Sequence, residues 1–449
     1  MKRPLLLLLP HAALLFGIPA VLLTGFAAVA RPAAAPFKST DFTDSAFCGG
    51  CHVEIYAQWQ GSMHNNALTD PFYLGVYAQA SRETGGAFDA NCVSCHTPFG
   101  GDSGEAPPPT GPQISAITKQ GIQCDFCHTL TGPDAYGPSQ TKYGPYTDSV
   151  SSFHGSAYFG LLTKSDFCGL CHDQLNPENQ LPVQSTFTEW KSSGYAAQGI
   201  QCQDCHMTPG PGVTEPNPGK AAKDGPDRPN IYTHFFTGGN ATSLASPEHQ
   251  ALARENLEAA ATVRMDPAGA GEAGAISGGG AAGTGAAAAA GNGNEPKPAP
   301  GSIQLNVKVN NKGAGHFLPT GVTEIREMWL EIEVTDWAGN VLFHSGGVDQ
   351  NGAIDPGAIR YGTIYRAGNG QPTLKAWQAA AVLSDHRVPP QGSLSDTMQV
   401  PLPDDVPRPL LAFVTVHYRS VSQAQADESM GKGTLTPPVI DMTGDCLFI

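Results

Sequence analysis

Five times in this chain, two cysteines three positions apart are followed at once by a histidine. The stretches are Cys48-Gly49-Gly50-Cys51-His52, Cys92-Val93-Ser94-Cys95-His96, Cys124-Asp125-Phe126-Cys127-His128, Cys168-Gly169-Leu170-Cys171-His172 and Cys202-Gln203-Asp204-Cys205-His206. They take up ten of the eleven cysteines and leave Cys446 over. On one turn of helix, positions i, i+3 and i+4 share a face. Two thiols so spaced can bond the two vinyl groups along one porphyrin edge, and the histidine then lies under the ring as an axial nitrogen for iron. Disulfides would suit an exported protein, but they do not explain a histidine after every pair. Zinc ribbons set their CxxC pairs about 15–20 residues apart. Here successive motifs start 44, 32, 44 and 34 residues apart. The pattern predicts five covalently attached haem c groups.

That prediction governs the rest of the reading. From Phe37 to Asn240 about two hundred residues would serve five porphyrins, too few for an ordinary hydrophobic core, so the macrocycles must act as the core. A compact chain of that length has a radius of gyration of about 17 Å, and five groups spread through it sit roughly 20 Å apart centre to centre. Packing alone brings neighbouring macrocycles within electron-tunnelling reach. The 53 glycines and 38 prolines, with only 14% charged residues, call for extensive loops and argue against a coiled coil or helical bundle. A surplus of 40 acids over 25 bases, net charge −15, argues against a nucleic-acid partner, because phosphate backbones demand a basic surface.

The first thirty residues read as an export signal. Lys2 and Arg3 precede the apolar run Leu5–Leu9, and Ala28-Val29-Ala30 forms a small-x-small cleavage site. Pro10 and Pro19 interrupt the segment, which weakens the case for a retained anchor. No other stretch approaches the ~18 continuous apolar residues of a membrane span. The expectation is an exported chain with no stable membrane span after cleavage, periplasmic or extracellular at the cell surface.

The flanks of the motifs repeat. Phe47-Cys48-Gly49 matches Phe167-Cys168-Gly169, and Gln120-Gly121-Ile122-Gln123-Cys124 matches Gln198-Gly199-Ile200-Gln201-Cys202. Between these landmarks stand Trp59-x-x-Ser62-x-His64 and Trp190-x-x-Ser193-x-Tyr195. Motifs 1 and 3 therefore correspond to motifs 4 and 5, with motif 2 inserted in the first copy and Tyr195 standing where the first copy has His64.

Eight further histidines remain outside the motifs and the signal: His64, His154, His234, His249, His316, His344, His386 and His417. His154 and His234 sit in segments dense with aromatics and glycines, suited to lining a flat ring. His249 follows Ser246-Pro247-Glu248, a helix start, and is expected on an exposed first turn. His344 and His417 fall in strand-like segments and His386 in a loop, while Met207 is too close to His206 to reach the same iron.

The block from about Phe47 to Asn240, with FCGGCH…WQGSMH, SSFHGSAYFGLLTKSDFCGLCH, GIQCQDCHM and THFFTGGN, resembles the multihaem cytochrome c family that includes the tetrahaem electron acceptor of hydroxylamine oxidoreductase. The segment Gly313-Ala-Gly-His316-Phe-Leu-Pro-Thr-Gly321 and the strands after it resemble the C-terminal domain of exported multihaem cytochromes. The resemblance implies distal ligand roles for His64, His154, His234 and His316. Four such candidates for five irons leave one haem without a partner.

Beyond the haem block, Ser246–Met265 reads as helical, and the Ala/Gly/Pro-rich stretch that follows cannot bury a core. Alternation then takes over. Ile303, Leu305, Val307 and Val309 share one strand face, Met328, Leu330, Ile332 and Val334 another, and Trp337-Ala338-Gly339-Asn340 reads as a hairpin turn. The expected fold is α+β and multidomain: a signal peptide (1–30), a loop-rich, mainly helical pentahaem domain (31–240), a helical connector (241–266), a flexible linker (267–301), and an antiparallel β-sandwich-like domain (302–449).

Three functions fit the sequence. The first is an electron carrier passing single electrons along closely packed haems to redox partner proteins, other multihaem cytochromes among them. It extends to extracellular electron transfer and to an oligomer or filament. The second is a reductase or oxidase of a small nitrogen or sulfur compound at one open iron. The third is a module whose β-domain docks the haem block on a surface or partner. All five motifs end in His, and no CxxCK motif of the nitrite-reductase type occurs.

Overall fold

The computed structural model describes residues 37–105, 114–132, 135–213, 216–242, 244–267, 301–403 and 405–449. The expected signal peptide and nearly all of the linker lie outside the described residues.

The N-terminal half is built from short helices joined by loops. Cys48 falls in the helix Ser45–Gly49, and the other four motifs begin in or beside Asp89–His96, Cys124–His128, Ser165–Gly169 and Gln203–His206. The i to i+4 relation read from the spacing is closed by backbone hydrogen bonds. The amides of His52, His172 and His206 each donate to the carbonyl of the first cysteine of their motif, at 2.9 Å in every case.

The internal repeat is also a repeat of contacts. Trp59 Nε1 donates to the Ile122 carbonyl at 2.8 Å, and Trp190 Nε1 to the Ile200 carbonyl at 2.9 Å. The hydroxyl of Ser45 accepts from the Cys124 amide at 3.4 Å, and that of Ser165 from the Cys202 amide at 2.8 Å. Each copy thus packs its last motif onto the start of its first. Between the copies, strand Thr141–Gly144 pairs in parallel with Gly155–Tyr158, setting Tyr143 beside Ala157 and His154 at the strand's entry.

The C-terminal half is two antiparallel sheets. The larger runs Pro372–Thr373, Arg360–Ala367, Glu327–Thr335, Leu411–Arg419, Ile440–Phe448, with Val341–Ser345 added on Glu327–Thr335 and Ala379–His386 on Arg360–Ala367. The smaller runs Ser393–Pro401, Ser302–Asn311, Ala261–Pro267. The alternating residues behave as their period demands. Leu305, Val307 and Val309 are fully buried, and they share one core with Met328, Leu330, Ile332 and Val334 of the facing sheet. The turn before Val341 has Gly339 at φ +82°, open to glycine.

Three local expectations differ from the structure. Helix Pro247–Ala260 forms, capped by the Ser246 side chain, but Ala261–Pro267 is a strand paired with Ser302–Asn311 rather than the end of a helical connector. Its alternation of buried Ala261, Val263 and Met265 is a period of two that the preceding alanine run conceals. His249 is buried on that helix, not exposed, because its ring packs edge-on against Phe235 at 5.1 Å. His386 closes the strand Ala379–His386 rather than lying in a loop, and its Nε2 pairs with Asp396 at 2.9 Å.

The halves are tied along the helix Pro71–Thr84. The helix Gln423–Met430 packs on it so closely that a Cβ on Gly75 would stand 2.6 Å from the Ser429 carbonyl oxygen. Lys375 bridges Glu83 at 2.8 Å and Glu428 at 2.9 Å across the same seam.

Candidate haem sites

A single cavity of about 1710 Å³ runs through the N-terminal half and along its border with the sheets. It exceeds the roughly 300–1,000 Å³ of a site for one small ligand. All ten motif cysteines line it, as do His52, His96, His128, His172 and His206 together with His64, His154, His234 and His316. His249, His344, His386 and His417 do not. Among the described residues no group of three His, Cys, Asp or Glu side chains is arranged to hold a metal ion directly. A metal in this cavity would need most of its ligands from elsewhere, as iron in a porphyrin has.

Eight of the nine histidines face one another in pairs across the cavity. Ring centres are 6.5 Å apart for His52 and His154, and 6.3 Å for His64 with His172, His128 with His234, and His206 with His316. A metal with an imidazole nitrogen about 2 Å away on each side, and about 1.2 Å more from nitrogen to ring centre, separates the centres by roughly 6.4 Å. The pairs have the spacing that axial ligation on both faces of one iron requires.

Second contacts orient the rings. The Nδ1 atoms of His52, His96, His128 and His206 meet the carbonyl oxygens of Ala221, Ala67, Tyr143 and Thr237 at 2.7, 2.8, 2.6 and 2.6 Å. On the facing side, the Nδ1 atoms of His154, His234 and His316 meet those of Gly155, Tyr232 and Phe317 at 2.8, 3.1 and 2.9 Å. A ring that donates from Nδ1 keeps Nε2 free as the metal-binding lone pair. Burial pushes the pKa of His64 and His234 down to about 3 and that of His172 to about 4. His96, His128 and His206 are lowered for the same reason. These six rings are therefore neutral at ordinary pH, the form that ligates iron.

His96 is different. Its ring stacks face to face on Tyr73 with centres 3.8 Å apart and planes 5° apart, so the tyrosine covers the face of the imidazole rather than standing across from it as the paired histidines do. Burial raises the Tyr73 phenol well above its usual pKa, so it stays protonated. Among the described residues no histidine ring faces His96. Tyr195, the counterpart of His64 in the second copy, donates its hydroxyl to the Lys312 carbonyl at 3.0 Å instead of facing a motif histidine.

Residues 47–129 match the family model of Cytochrome c554 and c-prime. Among solved structures, a penta-heme cytochrome c552 from Thermochromatium tepidum aligns over 91% of this chain and 99% of its own, with a TM-score of 0.61 at 18% identity, a likeness of fold. The chain is thus similar to multihaem cytochromes, in sequence over residues 47–129 and in fold over most of its length. The putative ApaA protein from Bordetella pertussis, 12% identical over 42% of this chain and 91% of its own, reaches a TM-score of only 0.15 and carries no argument. No curated protein matches.

The candidate sites adjoin one another. Cys48 and Cys124 are within hydrogen-bonding reach, as are Cys168 and Cys202, so haem bound at the paired motifs of each copy would lie side by side. Cys127 lies within electrostatic reach of Cys168, joining the two copies. His172 is within such reach of both His206 and His96, and Gln174 Nε2 contacts Cys95 Sγ at 3.2 Å. The residue sets thus follow the order 1, 3, 4, 5, with the second set beside the fourth.

The sequence reading did not single out Ser45, Ser165, Glu189 or Arg387. The two serines had a signal, each standing three residues before a matched first cysteine. Glu189 and Arg387 had none, being 198 residues apart.

Proposed function

We propose that this chain is a multihaem cytochrome that carries five haem c groups, one on each Cys-x-x-Cys-His motif, and passes single electrons to redox partner proteins, other multihaem cytochromes among them. Haem c, when bound, supplies reversible one-electron chemistry at iron. The chain's residues anchor it through the ten cysteines, ligate from His52, His96, His128, His172 and His206, and cap from His154, His234, His64 and His316 in that pairing. The observation that carries the reading is the set of four facing histidine pairs at 6.3 to 6.5 Å in one cavity. Axial pairs of histidine leave no free coordination position, which suits electron transfer rather than substrate binding. Export to the periplasm or cell surface accords with the apolar N-terminal segment, and among the described residues no helix is long and apolar enough to cross a membrane. Surface docking of the β-domain and assembly into an oligomer or filament are compatible with this reading.

A second reading, reduction or oxidation of a small nitrogen or sulfur compound, is favoured at one place only. The second site has Tyr73 stacked on His96 and no facing histidine. Reducing the purified protein and mixing it with an oxidised soluble cytochrome c tests both. The carrier reading expects five electrons delivered per chain and no sustained turnover with nitrite, hydroxylamine or sulfite. Fewer than five electrons overturns the haem count. Sustained turnover hands the function to the second site.

A further inference from the structure

His316 stands on a glycine-rich loop, Gly313-Ala314-Gly315, which has no rigidity of its own. Its facing partner, His206, belongs to the fifth motif at the far end of the N-terminal half. Something must hold the loop in register with that motif. The helix Thr186–Lys191 touches both. Trp190 bonds the Ile200 carbonyl just ahead of Cys202 at 2.9 Å. From the same helix, Glu189, only 6% exposed, turns the other way into the loop. Its Oε2 accepts from the Phe317 amide at 3.2 Å and from the Thr320 hydroxyl at 2.7 Å.

The other carboxylate oxygen is occupied as well. Arg387 Nη1 donates to Glu189 Oε1 at 2.6 Å, and the rest of the guanidinium is held by Asp385 at 2.7 and 2.8 Å. The same guanidinium lies over the Phe317 ring, 4.8 Å from its centre. Both faces of the residue next to His316 are thereby fixed, its amide by Glu189 and its ring by Arg387.

We infer that the Glu189–Arg387 pair is a positioning device that ties the His316 loop to the helix framing the fifth motif and so keeps His316 on the iron opposite His206. The inference rests on His316 being the distal ligand there. Losing Arg387 leaves the buried Glu189 with an uncompensated charge, and losing the Glu189 charge weakens its hold on the Phe317 amide and the Thr320 hydroxyl while Arg387 keeps Asp385, so the loop is released from either side. Glu189 and Arg387 touch neither iron nor porphyrin in this account and act through His316.

The test uses the full-length, haem-loaded protein. Arg387→Met, Glu189→Gln, Thr320→Val and the conservative Arg387→Lys are compared with His316→Ala, reading high-spin iron by low-temperature EPR and carbon monoxide bound per chain after reduction. His316→Ala should add one high-spin iron and one bound carbon monoxide to the wild-type count. Arg387→Met and Glu189→Gln should approach the same values, with the other three paired sites unchanged as an internal check on folding. Arg387→Lys should restore part of the loss. Thr320→Val, which removes one hydrogen bond to a charged group and no charge, should speed carbon monoxide binding at that site about tenfold and serves if Arg387→Met does not fold. If His316→Ala leaves both counts at wild type, the ligand assignment falls and the positioning role with it. If His316→Ala shifts them while the Glu189, Arg387 and Thr320 variants do not, the positioning role alone falls.

Discussion

Replacing His64 by glycine isolates one member of a pair. The His64 ring stands 6.3 Å from His172 and 4.5 Å from Phe236. Its backbone carbonyl accepts from the Ile122 amide at 3.0 Å, a bond that glycine keeps. The substitution therefore removes one imidazole and leaves its pocket walled. With four facing pairs and one unfaced His96, the wild type should show four low-spin irons and one high-spin iron in the oxidised state. His64→Gly should show three and two: a quarter of the low-spin intensity lost and the high-spin intensity doubled. Added imidazole should enter the vacated pocket and restore the four-to-one ratio. Free imidazole ligates only when neutral, so the rescue should strengthen as pH rises through its titration range near 6.5. In the wild type, burial holds the His64 pKa near 3, and the ratio should not change between pH 5 and 8. Four low-spin irons in His64→Gly without imidazole would refute the pairing. Five low-spin irons in the wild type would remove the open second site.

Three other outcomes follow from single contacts. Trp59→Phe or Trp190→Phe each orphans a carbonyl that now receives the indole N–H at 2.8 or 2.9 Å. Each should cost about 1–3 kcal/mol in guanidinium unfolding with no change in spin count. Glu324 lines the cavity with both carboxylate oxygens unpartnered among protein atoms, and burial pushes its pKa from 4.5 up to about 8. Between those values the folded chain holds a proton that the unfolded chain has released, so stability should fall as pH rises across that window. Glu324→Gln should flatten that slope in urea midpoints taken at pH 5 and pH 8, and an unchanged slope would assign it to another group. His344 and His417 share the two oxygens of Glu331, at 2.7 Å each, away from the cavity, so alanine at either should leave the EPR ratio at the wild-type value.

Much of this was legible because haem attachment is local chemistry. A motif of five residues carries both proposed thioether positions and the proposed proximal ligand, and the chain closes it in a single helical turn. The duplication was legible for the same reason, since Trp59 and Trp190 sit at fixed offsets from their motifs and make the same bond. The pairing of distal with proximal histidines was not. His64 stands twelve residues after His52 yet faces His172, and nothing near it in sequence says so. Only the folded arrangement of the two copies carries it across. Tyr195 shows the converse. The second copy has no later copy to reach into, and its aromatic is used against Lys312 of the sheet half. The strand Ala261–Pro267 was hidden because its partner, Ser302–Asn311, lies beyond a long stretch with no periodicity. His249 illustrates a limit of capping signals: Ser246 marks where the helix begins, but which face is buried depends on Phe235, from another segment.

The four pairs share one further property. Their members lie between 102 and 110 positions apart in the chain, so each facing pair closes a loop of more than a hundred residues. A cross-link of that length in an unfolded chain is worth about 4.7 kcal/mol in the chain-entropy account. Iron held by two such histidines acts as a reversible link of the same kind. The loops also interlock, since His64 and His154 fall inside one another's spans and His128 begins a third within both. Without the links, the cavity walls of the N-terminal half would have to stand apart around space they cannot fill. Among the described residues neither copy has a hydrophobic core of comparable extent: the buried cluster Phe42, Phe99, Phe126 and Leu130 stands against the broad core of the sheets. In this half of the chain, then, the proposed histidine ligation would serve the fold as well as electron transfer, and breaking one pair should lower stability while leaving the other three pairs in place.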